Sequence, residues 1–195
     1  MKFRLPLLTC LLVGASLLAT LCPFLTDALV YDRQAVLGGD WWRLFTAPLV
    51  HFSGSHLGWN LLVFGVAGWA VEAAEYRFFW LVCALACGLP GPIYLLIAPE
   101  LARYGGLSGV ATAAVVFFCA CSLFKLPKNR RIWLAILVLT GVKIAVEAVG
   151  GASVFVHSNE VSFRVLPSVH VVGYLGAIAV AFVCQACSRA WGCIS

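Results

Sequence analysis

The residues best able to do chemistry are a glycine-flanked serine, in Tyr104-Gly105-Gly106-Leu107-Ser108-Gly109-Val110, and a few polar side chains at the edges of other apolar runs: His51, His56, Asn60 and His170. Serine becomes a nucleophile when a neighbouring base takes its proton, and histidine is suited to that task near neutral pH. Glycines on both sides of Ser108 let the backbone turn tightly and leave room for a peptide to approach the hydroxyl. A serine opening a long apolar helix also stands beside free backbone N–H groups and the positive end of the helix dipole, which can hold an oxyanion. Two readings share this serine: an N-cap, the commonest job for serine at a helix start, and a nucleophile for acyl transfer. The positions of the histidines decide between them.

The elements that must position these residues are membrane helices. Of 195 residues, 63% are hydrophobic and 11% charged, with a mean hydropathy of +0.99, which is far more apolar than a soluble domain. An all-α polytopic membrane protein is expected, a single domain over residues 1–195 with no soluble appendage. The net charge of +5 sits between the apolar runs and does not form a patch, so it implies no nucleic-acid partner. The nine cysteines lie mostly inside apolar runs without zinc-finger spacing and read as small buried hydrophobes. Neither an H-E-x-x-H pattern nor an aspartate inside a span is present, so a zinc or aspartyl protease fits poorly, and no metal or cofactor is expected.

Six spans are expected: 5–25, 56–71, 78–98 with a break at Pro90-Gly91-Pro92, 107–124, 132–149 and 169–187. Trp42 and Arg43, in the loop after the first span, suit a membrane interface. With both ends on one side, Lys2, Arg4, Arg77, Lys125, Lys128, Arg130, Arg131 and Arg189 share that side, while the other holds Arg33, Arg43, Arg103 and Arg164. This bias puts the termini in the cytoplasm.

In that topology spans two, four and six run in the same direction, and their outer ends carry His56 with Asn60, Ser108, and His170. Ser108 and His170 each fall within about one helical turn, roughly 5 Å, of the outer surface, where water can enter. His170 could then serve Ser108 as general base if the two helices pack closely. Gly109, Ala113, Gly173 and Ala177, in small-xxx-small spacing, permit this. His56 and Asn60 share a helical face and can present donors to an oxyanion, and His51 stands just above them, placed to steady the loop. The competing reading of each side chain alone is interhelical polar glue.

Trp42-Arg43, His56-x-x-x-Asn60, Gly106-Leu107-Ser108-Gly109 and His170-x-x-Gly173-x-x-Gly176 together resemble the rhomboid intramembrane serine proteases over the whole chain. The resemblance implies a six-helix rhomboid-like bundle and a Ser-His dyad of Ser108 and His170, with His56 and Asn60 completing an oxyanion site beside Ser108. The compact length, Tyr31-Asp32-Arg33, Pro99-Glu100-Leu101-Ala102 and Lys143-x-x-x-Glu147 are similar to the rhombosortase branch. That branch implies a bacterial inner-membrane enzyme, its site facing outward to the periplasm. Its partners would be membrane-anchored proteins ending in a Gly-Gly motif, a transmembrane helix and a basic tail. Ser168-Val169 before the histidine and Ala111-Thr112-Ala113 after the serine motif depart from the common patterns.

Lys143 and Glu147 lie one turn apart inside the fifth span, where charge is costly and is functional or paired. They read either as a mutually neutralising pair or as a substrate-recognising carboxylate with its counter-ion. Outside the Gly-Gly-specific protease, the competing functions are a general rhomboid protease, a non-catalytic rhomboid-like protein that escorts membrane clients, and a small transporter. The absence of duplicated halves disfavours the last.

Overall fold

A computed structural model describes residues 5–150 and 166–190. The loop residues His157, Asn159, Glu160 and Arg164 lie outside the described residues, as do Lys2, Arg4, Cys193 and the Arg189 side chain.

The first apolar run does not continue straight to residue 25. Helix α1 (Leu7–Leu21) ends at Cys22, and α2 (Pro23–Leu29) leaves it at 107°, because Pro23 cannot donate to the preceding turn and instead opens a new helix. Thr26 Oγ1 donates to Ala19 O at 2.8 Å, satisfying a carbonyl that the bend exposes. At the other end of α1 the free N–H groups of Leu8 and Thr9 donate to Glu72, at 3.1 and 2.9 Å. Glu72 belongs to the last turn of α5 (Gly54–Ala73), so an acid on one helix caps another.

Between them run β1 (Tyr31–Asp32), α3 (Arg33–Leu37) and α4 (Arg43–Thr46). α6 (Phe79–Gly88) and α7 (Pro90–Ile97) are interrupted at Leu89, as the Pro-Gly-Pro sequence predicts, and together make a stretch long enough to span. β2 (Arg103–Tyr104) then precedes α8 (Ser108–Lys125), α9 (Arg130–Gly150) and α10 (Pro167–Ala190). Among the described residues, four stretches are long and apolar enough to cross a membrane: 79–97, 108–125, 130–150 and 167–187; the bent pair α1–α2 adds a fifth if it counts as one. The second expected span, α5, is not among them, diluted by glycines, His56, Asn60 and Glu72.

α8 is the axis of the bundle, packing against α10, α5, α9 and α6. Small side chains make this possible: Ala111, Ala113, Ala114, Cys119 and Ala120 are all buried. At the outer surface the pattern inverts, and Trp59, Leu62, Trp69, Trp80, Leu139 and Phe182 stand exposed, as helices facing lipid require. The cysteines divide accordingly. Cys83, Cys119 and Cys121 are buried, but Cys10, Cys22 and Cys187 lie on the outside and so are not the buried hydrophobes expected.

The most extensive helix crossing joins α8 and α10. A Cβ placed on Gly173 would come 2.3 Å from Gly109 O, and one on Gly109 would come 3.0 Å from Val169 O. Gly176, one turn on, has open space. Gly173→Ala is therefore expected to cost about 1–3 kcal/mol through overpacking, and Gly176→Ala close to nothing. Thermal unfolding in detergent, followed by maleimide-dye access to the buried thiols, checks the difference.

Candidate active site

α8 begins at Ser108, with Leu107 in the N-cap position and no side-chain cap bond. The hydroxyl of Ser108 is thus not consumed in capping, and the residue is only half-buried, although backbone N–H groups of a first turn surround it. The turn into it depends on Gly106, whose φ of +125° suits glycine, and where a Cβ would lie 2.5 Å from His56 Cε1. His56 therefore packs its ring directly on the serine loop. Ser53 caps α5 by accepting the His56 N–H at 3.2 Å, which fixes the turn that carries this ring. One turn further, Asn60 is buried, and its Nδ2 has no hydrogen-bond partner among the described residues.

His51 lies in the loop before α5, its ring 5.0 Å from that of His56 and edge-on to it. The N–H of Leu107 donates to His51 Nε2 at 3.1 Å. An accepting Nε2 makes the ring neutral with its proton on Nδ1, which faces Thr20 Oγ1 at 3.3 Å. So α1, the α5 entry loop and the serine turn are tied through one imidazole.

The serine loop is held from behind as well. β1 and β2 pair antiparallel, Tyr31 opposite Tyr104 and Asp32 opposite Arg103. Tyr104 lies between Tyr31 and Tyr94, its ring tilted to the first at a centroid distance of 4.9 Å and edge-on to the second at 5.1 Å. Tyr94 Oη in turn bonds Ser168 Oγ, two residues before His170. Asp32 caps α3 through the N–H groups of Gln34 and Ala35, and Arg33 donates to Leu95 O at 3.0 Å, closing the end of α7. These strands and tyrosine contacts were not read from the sequence, since a two-residue strand has no period.

α10 brings His170 to the α8 face. Its Nδ1 lies 2.9 Å from Thr112 Oγ1, one turn beyond Ser108, and among the described residues no hydrogen bond links Ser108 to His170. Thr112, noted in the sequence only as a departure from pattern, thus touches the proposed base; its i+4 spacing from Ser108 was the available signal. Glu147 is fully buried, 2.7 Å from Lys143 Nζ and 3.8 Å from His170 Nε2. Trp42 and Arg43 are not brought to this cluster. Trp42 Nε1 donates to Ala28 O at 2.9 Å, and Arg43 bonds Asp40 at 2.9 Å and Val30 O at 3.1 Å, bracing the loop between α2 and α5.

Burial holds the His51 pKa down to about 3 from the ordinary 6.5, with the neighbouring His56 adding to the effect. Between those values the unfolded chain binds a proton that the folded chain does not, so stability is intact above pH 6.5 and falls as the medium is acidified. His51→Gln is expected to reduce that slope by about 1.4 kcal/mol per pH unit. Unfolding midpoints from pH 7 to pH 4 check it.

Residues 38–187 match the family model described as "Rhomboid domain". The chain is 27% identical over 103 residues to "Rhomboid protease GluP" of Bacillus subtilis (strain 168), covering 53% of this chain and 19% of that protein. It is 25% identical over 103 residues to "Rhomboid protease AarA" of Providencia stuartii, covering 43% of this chain and 37% of that protein. The chain thus spans less than half the length of either relative. A family match over most of its residues, on an all-α membrane bundle, makes this chain a member of the rhomboid family.

Proposed function

We propose that this chain is an intramembrane serine endopeptidase of the rhombosortase kind. It would cleave the C-terminal Gly-Gly, transmembrane-helix and basic-tail anchor of exported proteins at the outer face of a bacterial inner membrane. The observation that carries the reading is the close α8–α10 crossing at Gly109 and Gly173, which sets the Ser108 end of one helix against the His170 turn of the other. Supporting it, the Ser108 hydroxyl is free of capping and Asn60 offers a buried donor with no partner among the described residues. A six-span, single-domain topology with cytoplasmic termini belongs to the same reading.

In this mechanism a substrate helix enters from the bilayer and unwinds at its Gly-Gly segment, which glycine eases by roughly 1 kcal/mol per residue relative to alanine. His170 takes the Ser108 proton as Oγ bonds to the carbonyl carbon. The first-turn N–H groups of α8, His56 and Asn60 hold the oxyanion. The C–N bond then breaks, and the amine of the departing membrane segment takes the proton from His170. Water releases the main body by hydrolysis, and an amine in its place would give transfer.

A general rhomboid protease without Gly-Gly preference is the second reading, favoured by the two relatives, both named only as rhomboid proteases. Cleavage of a reconstituted test substrate carrying Gly-Gly, an apolar helix and a basic tail separates the two. The proposal expects cleavage to vanish with Ser108→Ala, to fall about 100-fold with Asn60→Ala, and to fall sharply when Gly-Gly becomes Val-Val. Undiminished cleavage of the Val-Val substrate would establish the general reading, and undiminished cleavage by Ser108→Ala would overturn both.

A further inference from the structure

We propose that Glu147 is a positioning residue for His170, its buried carboxylate steadying the imidazole and favouring the protonated form, with Lys143 tempering the effect. This rests on the serine-protease reading above and adds a third group to the Ser-His pair. The ring of His170 is approached from two helices: Thr112 Oγ1 of α8 stands 2.9 Å from Nδ1, and Glu147 Oε2 of α9 stands 3.8 Å from Nε2. The hydroxyl in contact is that of Thr112, one turn beyond Ser108, so α8 faces one ring nitrogen and the carboxylate of α9 faces the other.

The separation of 3.8 Å is too long for a hydrogen bond from a neutral ring but is an ion-pair distance for an imidazolium, so the carboxylate acts chiefly on the charged form. Its placement is specific. The other buried residues of α9 are the aliphatic Leu137 and Ile144, so Glu147 is the single acid on that inward face among the described residues. A carboxylate there is costly unless it is used or paired. Lys143 pairs with it while remaining partly exposed. Among the described residues, the other groups bearing on His170 are His56 from α5, the hydroxyl of Thr112 from α8, and Tyr94 of α7, which bonds Ser168 two residues before it. Glu147 and Lys143 are therefore, among the described residues, the charged groups bearing on the base.

During acylation the proton passes from Ser108 Oγ to His170 as Oγ bonds to carbon, and from His170 to the leaving amine as the C–N bond breaks. Glu147 takes no proton; it stabilises the interval in which the ring is positive. Without the carboxylate the base is weaker, and without Lys143 it is stronger.

The test is the rate at which a fluorophosphonate probe acylates the protein in proteoliposomes, measured against pH for wild type, Glu147→Gln and Lys143→Met, with Ser108→Ala as the blank. The base is inactive when protonated, so Glu147→Gln should move the acidic limb to lower pH and Lys143→Met to higher pH, each by about one unit. The plateau rate of Glu147→Gln should fall about tenfold. Limbs that coincide with wild type in both variants would overturn the proposal, as would shifts in the same direction, which a packing role would produce. Should Glu147→Gln fail to fold, Lys143→Met decides alone, an upward shift supporting the proposal and an unmoved limb overturning it. Labelling that persists in Ser108→Ala would instead overturn the serine-protease reading on which the proposal rests.

Discussion

Everything at the functional end of this bundle depends on how closely α8 and α10 can approach. Two glycines permit backbone-to-backbone contact where a Cβ on Gly173 would meet Gly109 O at 2.3 Å. In lipid, apolar side chains gain little by leaving the solvent, so helices associate through close packing and shared polar contacts. Both act at this crossing: small residues form the seam, and the Thr112–His170 contact lies within it. A larger residue at Gly173 would push α8 and α10 apart, and with them Ser108 and His170, whatever happened to the side chains themselves.

Around that crossing the polar groups are arranged by neighbours distant in sequence. Leu107, the residue before the serine, gives its N–H to His51, and His51 is held by Thr20 of the first helix. Gly106 is shaped around the ring of His56. The strand pair and the tyrosine ring contacts link the serine loop to α7 and, through Ser168, to the start of α10. The loop carrying Ser108 is thus fixed from α1, α5, α7 and the loop between α2 and α5 together. A reacting group needs such support if its geometry is to be set before substrate arrives.

Much of this was legible in the sequence, because membrane spans announce themselves by apolar length and because glycine spacing on two helices signals a close crossing. Ser108 was singled out by its flanking glycines, and His170, His56 and Asn60 by sharing its depth and by the family pattern, and His56 and His170 do lie against α8 or its entry turn. What escaped was whatever depends on contact between residues far apart in the chain. The apolar run 5–25 gave no sign of how Pro23 would turn it, and α5 proved less apolar than its neighbours. The pairing of Tyr31 with Tyr104 and the capping of α1 by Glu72 have no local signature. Trp42 and Arg43 carried a family pattern, yet their bonds brace a loop. Glu147 was noticed for its cost in a membrane, but its direction toward His170 required the packing of α9.

The central claim is that the α8–α10 crossing makes Ser108 a nucleophile through His170. Its most direct test is to map the adduct left by a fluorophosphonate in membranes containing the wild-type chain, and to repeat this with His170→Ala. The account predicts a single adduct, on Ser108, that disappears with His170→Ala while the protein stays folded. An adduct elsewhere, or one on Ser108 that forms equally well without His170, would contradict it.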